Sequence, residues 1–75
     1  MNKRLDDISE LAATLAHAAV AAGEVIPFRK NRYRVRSGDW DVFWGKYPDA
    51  TRDEEMRFAD DYTFTAENAL NRSST

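Results

Sequence analysis

Between Leu5 and Ala22 the apolar residues Leu5, Ile8, Ala12, Leu15, Ala19 and Ala22 recur at alternating spacings of three and four. That pattern lays one stripe along an α-helix and fits no strand. Leu11 and Val20 widen the stripe. Asp6, Asp7 and Glu10 stand in the opening turns, where the positive end of the helix dipole favours carboxylates, and Gly23 follows the last periodic residue as a stop. The later half of the stripe is Ala, so another backbone can approach closely there, either a sheet of the same chain or the same helix in a second copy.

A chain of 75 residues makes one small domain, here taken as 1–75 with 1–4 and 72–75 expected to fray. A domain of this size buries only about 60% of the surface its unfolded chain exposes, which leaves a thin core. There is no Cys to staple it, so self-association is the natural source of extra stability. The longest apolar stretch, Leu11 to Ala22, is interrupted by Thr14 and His17 and is shorter than the ~20 residues that cross a bilayer. Asp6, Asp7 and Glu10 fall where a secretory signal is uncharged. An amphipathic helix of a cytoplasmic protein is the expectation.

Beyond Gly23 the period changes from helical to alternating, the mark of strands. Ile26 and Phe28 share one side of a first run, Tyr33 and Val35 of a second, and Trp40, Val42 and Trp44 of a third. Ser37-Gly38 has the composition of a two-residue hairpin turn. Closed there, the chain sets Arg36 against Asp39 and Arg34 against Asp41 on one face, and Val35 against Trp40 and Tyr33 against Val42 on the other. A reversal at Lys30-Asn31 adds Phe28 against Tyr33 and Ile26 against Val35, and Pro27, with no N–H, suits an edge strand. Thr51 and Glu54 then form a capping box for a short helix to about Asp60, with Met56 and Ala59 inward and Asp53 and Arg57 as an i,i+4 pair. Tyr62-Thr63-Phe64 reads as a strand or extended link, and Thr65 as the cap of a last turn or two. The fold class is therefore α+β: an N-terminal helix packed on a three-stranded antiparallel meander, followed by one or two short helices.

The three glycines serve as helix stop, turn and strand end, which leaves none for a phosphate-binding loop. One His and no Cys complete no metal set and offer no thiolate nucleophile. His17 has the setting of an ordinary helix residue, and Asp39 and Asp41 are explained by cross-strand arginines. No catalytic residue, cofactor or metal is expected, and the chain reads as a non-enzymatic interaction protein.

What rises above background is the segregation of charge. Arg29, Lys30, Arg32, Arg34 and Arg36 form a block without an acid, whereas acids dominate from Asp39 to Asp61. The first reading places Asp49, Asp53, Glu54, Glu55, Asp60 and Asp61 against a basic surface on a protein partner, with Trp44 and Tyr47 as aromatic anchors. The alternative is a small nucleic-acid-binding module in which Arg29, Lys30, Arg32, Arg34 and Arg36, with Phe43 as aromatic neighbour, grip a phosphate backbone. A formal net charge of −2 and a pI near 5.3 weigh against it. A homodimeric regulatory subunit zipped through the Ala stripe is a third reading. In size and character the chain resembles the phage-encoded inhibitors of host defences, anti-CRISPR proteins among them. That resemblance implies stoichiometric blockade of a host nucleic-acid-handling system; no residue string carries it.

Overall fold

A computed structural model describes residues 3–29 and 32–73. The periodic stripe is helix α1, Lys3–Ala22, which begins inside the stretch to Arg4 expected to fray. Its end has a defined chemistry: Gly23 adopts φ +70°, and its N–H donates to the Val20 carbonyl while the Glu24 N–H donates to that of Ala19. These two bonds cap carbonyls that the helix leaves unpaired, and the left-handed backbone they require suits Gly.

Strands β1 (Ile26–Arg29) and β2 (Arg32–Arg34) follow as an antiparallel hairpin. Its expected reversal, Lys30-Asn31, lies outside the described residues. Arg29 pairs with Arg32, as a two-residue reversal requires, but an irregularity between Pro27 and Arg29 then sets Pro27 against Tyr33 and Ile26 against Arg34. The expected pairs Phe28/Tyr33 and Ile26/Val35 are thus displaced by one residue. Such a slip exchanges the faces of a strand. Ile26 consequently shares a face with Arg34 and is exposed, whereas Val35 is buried and Tyr33 packs against the core.

The third strand of the expected meander is absent. Ser37–Lys46 is helix α2, and Ser37-Gly38, read as a hairpin turn, forms its first residues, with the Asp39 and Trp40 N–H groups donating to the Arg36 carbonyl. Spacings of three and four between Trp40, Phe43 and Tyr47 explain the choice, because a helix brings all three rings onto one side. Phe43 is fully buried and stacks on Phe58 at 4.5 Å between centroids, with Trp40 and Tyr47 beside it. Val42 and Trp44, which a strand would turn inward, are exposed.

The rest is one helix, α3, Arg52–Ser73, in place of the expected short helix, extended link and final turn. The capping box forms: the Glu54 N–H donates to Thr51 Oγ1 at 3.2 Å and the Thr51 N–H to Glu54 Oε1 at 2.9 Å. Phe58, Tyr62 and Ala66 recur every four residues and are fully buried, whereas Met56, expected inward, is exposed. Arg57 pairs with Asp61 and Ser9 and not with Asp53.

Helices α1 and α3 lie side by side in the same sense, Arg4 opposite Glu54 and Ser9 opposite Arg57. Ala12, Ala16 and Ala19 are fully buried, and their small side chains allow this close approach. Ile8, Ala12 and Ala19 of the stripe are thus taken up within one molecule, whereas Ala22 at its end is exposed. The fold is α+β, with an N-terminal helix, a two-stranded antiparallel sheet and two further helices. Among the described residues no helix is long and apolar enough to cross a membrane.

Candidate functional site

Much of the acidic set is engaged in holding the fold. Arg4 sits over the Tyr47 ring at 5.1 Å and donates to Asp49 at 2.9 Å and to both Glu54 oxygens at 2.6 and 3.3 Å. A cation in the first turn of a helix opposes the dipole unless carboxylates are brought to it, and here they come from the α2–α3 loop and the start of α3. The Arg4 guanidinium holds the Asp49 carboxyl below its ordinary range; the Thr51 N–H, then Arg4, do the same for Glu54. Asp61 is paired with Arg57. Asp53, Glu55 and Asp60 take part in no ion pair among the described residues, and Trp44 packs edge-on against Phe43. Of the expected contact face, Asp49, Glu54 and Tyr47 thus form a clasp around Arg4 and Asp61 is paired along its own helix, while Asp53, Glu55, Asp60 and Trp44 stand outside the clasp.

The basic set divides in the opposite way. Arg36 is neutralised: it donates to Asp39 at 2.8 and 3.2 Å and to Glu24 at 2.6 Å. Asp39 is buried and also accepts from the Tyr62 hydroxyl at 2.5 Å. Burial, and then that bond to a carboxylate, push the Tyr62 phenol up to about 12. Phe43, expected as the exposed aromatic beside the arginines, lies in the core, because α2 places it there. Lys30 lies outside the described residues.

Arg29, Arg32 and Arg34 remain exposed on the hairpin, with no carboxylate in ion-pair range among the described residues. Phe28 takes the aromatic role: half of it is exposed (51%), and the Arg29 and Arg34 guanidinium carbons lie 5.1 and 4.4 Å from its ring centroid. Stacking of this kind fixes a long side chain while leaving its N–H groups available.

Beside Arg34 the hairpin, α2 and α3 line an open cleft of about 660 Å³, with Ile26, Phe28, Tyr33 and Trp40 on its walls together with Ala59 and Thr63 of α3. The Thr63 hydroxyl donates to the Tyr33 carbonyl at 2.7 Å and ties β2 to α3. Trp40 is braced by Phe43 and Phe58. An apolar hollow with a cationic rim can receive an apolar side chain and a neighbouring anion together.

Sequence alternation places Ile26, Phe28, Tyr33 and Trp40 on a covered sheet face, whereas the structure sets them around the cleft. The available signal was local: Phe28 lies between Pro27, which disturbs a ladder, and Arg29, which seeks water. No group of His, Cys, Asp or Glu among the described residues is arranged to hold a metal ion. No protein-family model matches the chain, and neither the curated proteins nor the solved structures compared with it yield a match.

Proposed function

We propose that this chain is a non-enzymatic binding protein whose working face is the basic hairpin and its cleft, and whose partner is a protein offering an acidic surface. The carrying observation is the placement of Arg29 and Arg34 on exposed Phe28 at the mouth of an apolar cleft, with no carboxylate in ion-pair range among the described residues. Arg and aromatic residues contribute most at protein interfaces when an apolar centre is ringed by polar groups. The partner's sign is thereby opposite to the one expected from the acidic set, because Arg4 and Arg57 already occupy three of those acids. A nucleic acid would use the same arginines. The apolar cleft and the negative net charge of the chain favour a protein.

Two exposed charge reversals separate these readings. Arg29→Glu/Arg32→Glu/Arg34→Glu is expected to lose the partners crosslinked to the wild type in the source cell, while Asp53→Lys/Asp60→Lys keeps them. The reverse result returns the site to α3. A salt-dependent mobility shift with nucleic acid, in place of protein capture, changes the partner class.

A further inference from the structure

We infer that the segment received by the cleft is an acidic amphipathic α-helix and not an added β-strand; this rests on the reading that the basic cleft is the working face. Two-stranded sheets commonly bind peptides by extending an edge, and both edges here are closed to that mode. On the β2 side, the Tyr33 carbonyl points away from β1 and is taken by Thr63. That orientation makes Pro27/Tyr33 a pair whose backbone groups face outward. Pro27 therefore turns its ring nitrogen to the outer edge of β1, where an incoming strand finds an acceptor and no donor, and the irregularity beside it breaks the ladder further.

Recognition is then left to side chains, which a helix presents in a suitable order. Apolar residues at i, i+4 and i+7 form a ridge that fits a hollow walled by Phe28 and Trp40, and carboxylates three or four residues away lie about 5–6 Å to its side. Arg34 at the rim and Arg29 and Arg32 along the hairpin supply the complementary charge. Hairpin-to-hairpin pairing of two copies would set arginine against arginine, so charge disfavours that arrangement.

The probe is a Glu-rich peptide with Leu, Phe and Leu at i, i+4 and i+7, compared with a scrambled peptide of the same composition and one with Lys for every Glu. Titration is followed by the fluorescence of Trp40 in the Trp44→Phe protein, and peptide conformation by far-UV circular dichroism. The striped peptide is expected to bind at least about tenfold more tightly than the scrambled one, gain helical signal on binding, and weaken about tenfold against the exposed-site variant Arg34→Glu. Equal affinity for striped and scrambled acidic peptides, or binding without helix gain, overturns the helix inference and leaves the acidic-partner reading standing. Preference for the Lys peptide overturns both.

Discussion

Replacing Asp39 with Ala is expected to destabilise the protein by about 3 kcal/mol, a magnitude that follows from what the carboxylate touches. Asp39 is 5% exposed and accepts three hydrogen bonds, two from Arg36 and one from Tyr62. Its removal leaves the hydroxyl of a fully buried tyrosine without that acceptor, at ~1–3 kcal/mol. Arg36 suffers less, because it keeps Glu24 at 2.6 Å and retains some access to water, so about 1 kcal/mol is assigned to its side. The full loss for a completely buried pair, ~3–5 kcal/mol, is thus an upper bound.

A domain of 75 residues has only ~4–11 kcal/mol in all, and the thermal midpoint should fall by ~12–24 °C. Tyr62→Phe removes one bond and leaves Asp39 its two from Arg36, at about 1 kcal/mol. The double variant should then cost less than the sum of the two, by ~0.5 kcal/mol or more. Denaturant unfolding and thermal melts of the three variants measure this. A midpoint for Asp39→Ala within about 4 °C of wild type, or strict additivity, would refute the claim that this carboxylate fastens α2 to α3.

The same contact predicts alkaline sensitivity: the Tyr62 phenol is raised to about 12 in the folded state, so its contribution is complete below the ordinary tyrosine value and lost as pH climbs from there to about 12; Tyr62→Phe should flatten stability over that window. At the other extreme, Asp49 and Glu54 are held below the ordinary carboxylate range. Their contribution is present above that range and lost as pH falls through the lowered folded values, and Arg4→Gln should remove much of this acid dependence in melts run from neutral pH downward. Thr51→Ala deletes the hydroxyl that caps α3 and should cost about 1 kcal/mol, read as a lower urea midpoint with an unchanged slope. Pro27→Val restores an outward donor to β1, and sedimentation should then show more self-association than wild type at the same concentration; no increase argues against Pro27 as the guard of that edge.

The parts of the fold legible in the sequence are those in which one local pattern admits one answer. The stripe from Leu5 to Ala22, its Gly23 stop and the Thr51/Glu54 box each match a single geometry, and each is present. Tyr62-Thr63-Phe64 misleads because aromatic and β-branched residues favour strands, while the spacing of four between Phe58, Tyr62 and Ala66 decides for helix through burial against α1. Of the candidate site, the arginine block was visible, but the acids appeared available only because Arg4, fifty residues earlier than Glu54, could not be placed beside them by any local rule.

Residues 37–46 show why the hairpin pattern was persuasive and how its failure creates the site. Trp40, Val42 and Trp44 satisfy a strand while Trp40, Phe43 and Tyr47 satisfy a helix, so periodicity does not choose between them. The ion pairs look like an independent check, yet Arg36 and Asp39 are three residues apart and are neighbours both across a two-residue turn and along the first turn of a helix. Only the second pair discriminates. A strand would lay Asp41 against Arg34 and neutralise it, whereas α2 carries Asp41 to an exposed position and leaves Arg34 to stack on Phe28 at 4.4 Å. The cationic rim of the cleft therefore depends on this segment being helical: the choice that buries Phe43 is also the one that leaves Arg34 exposed and outside every ion pair among the described residues.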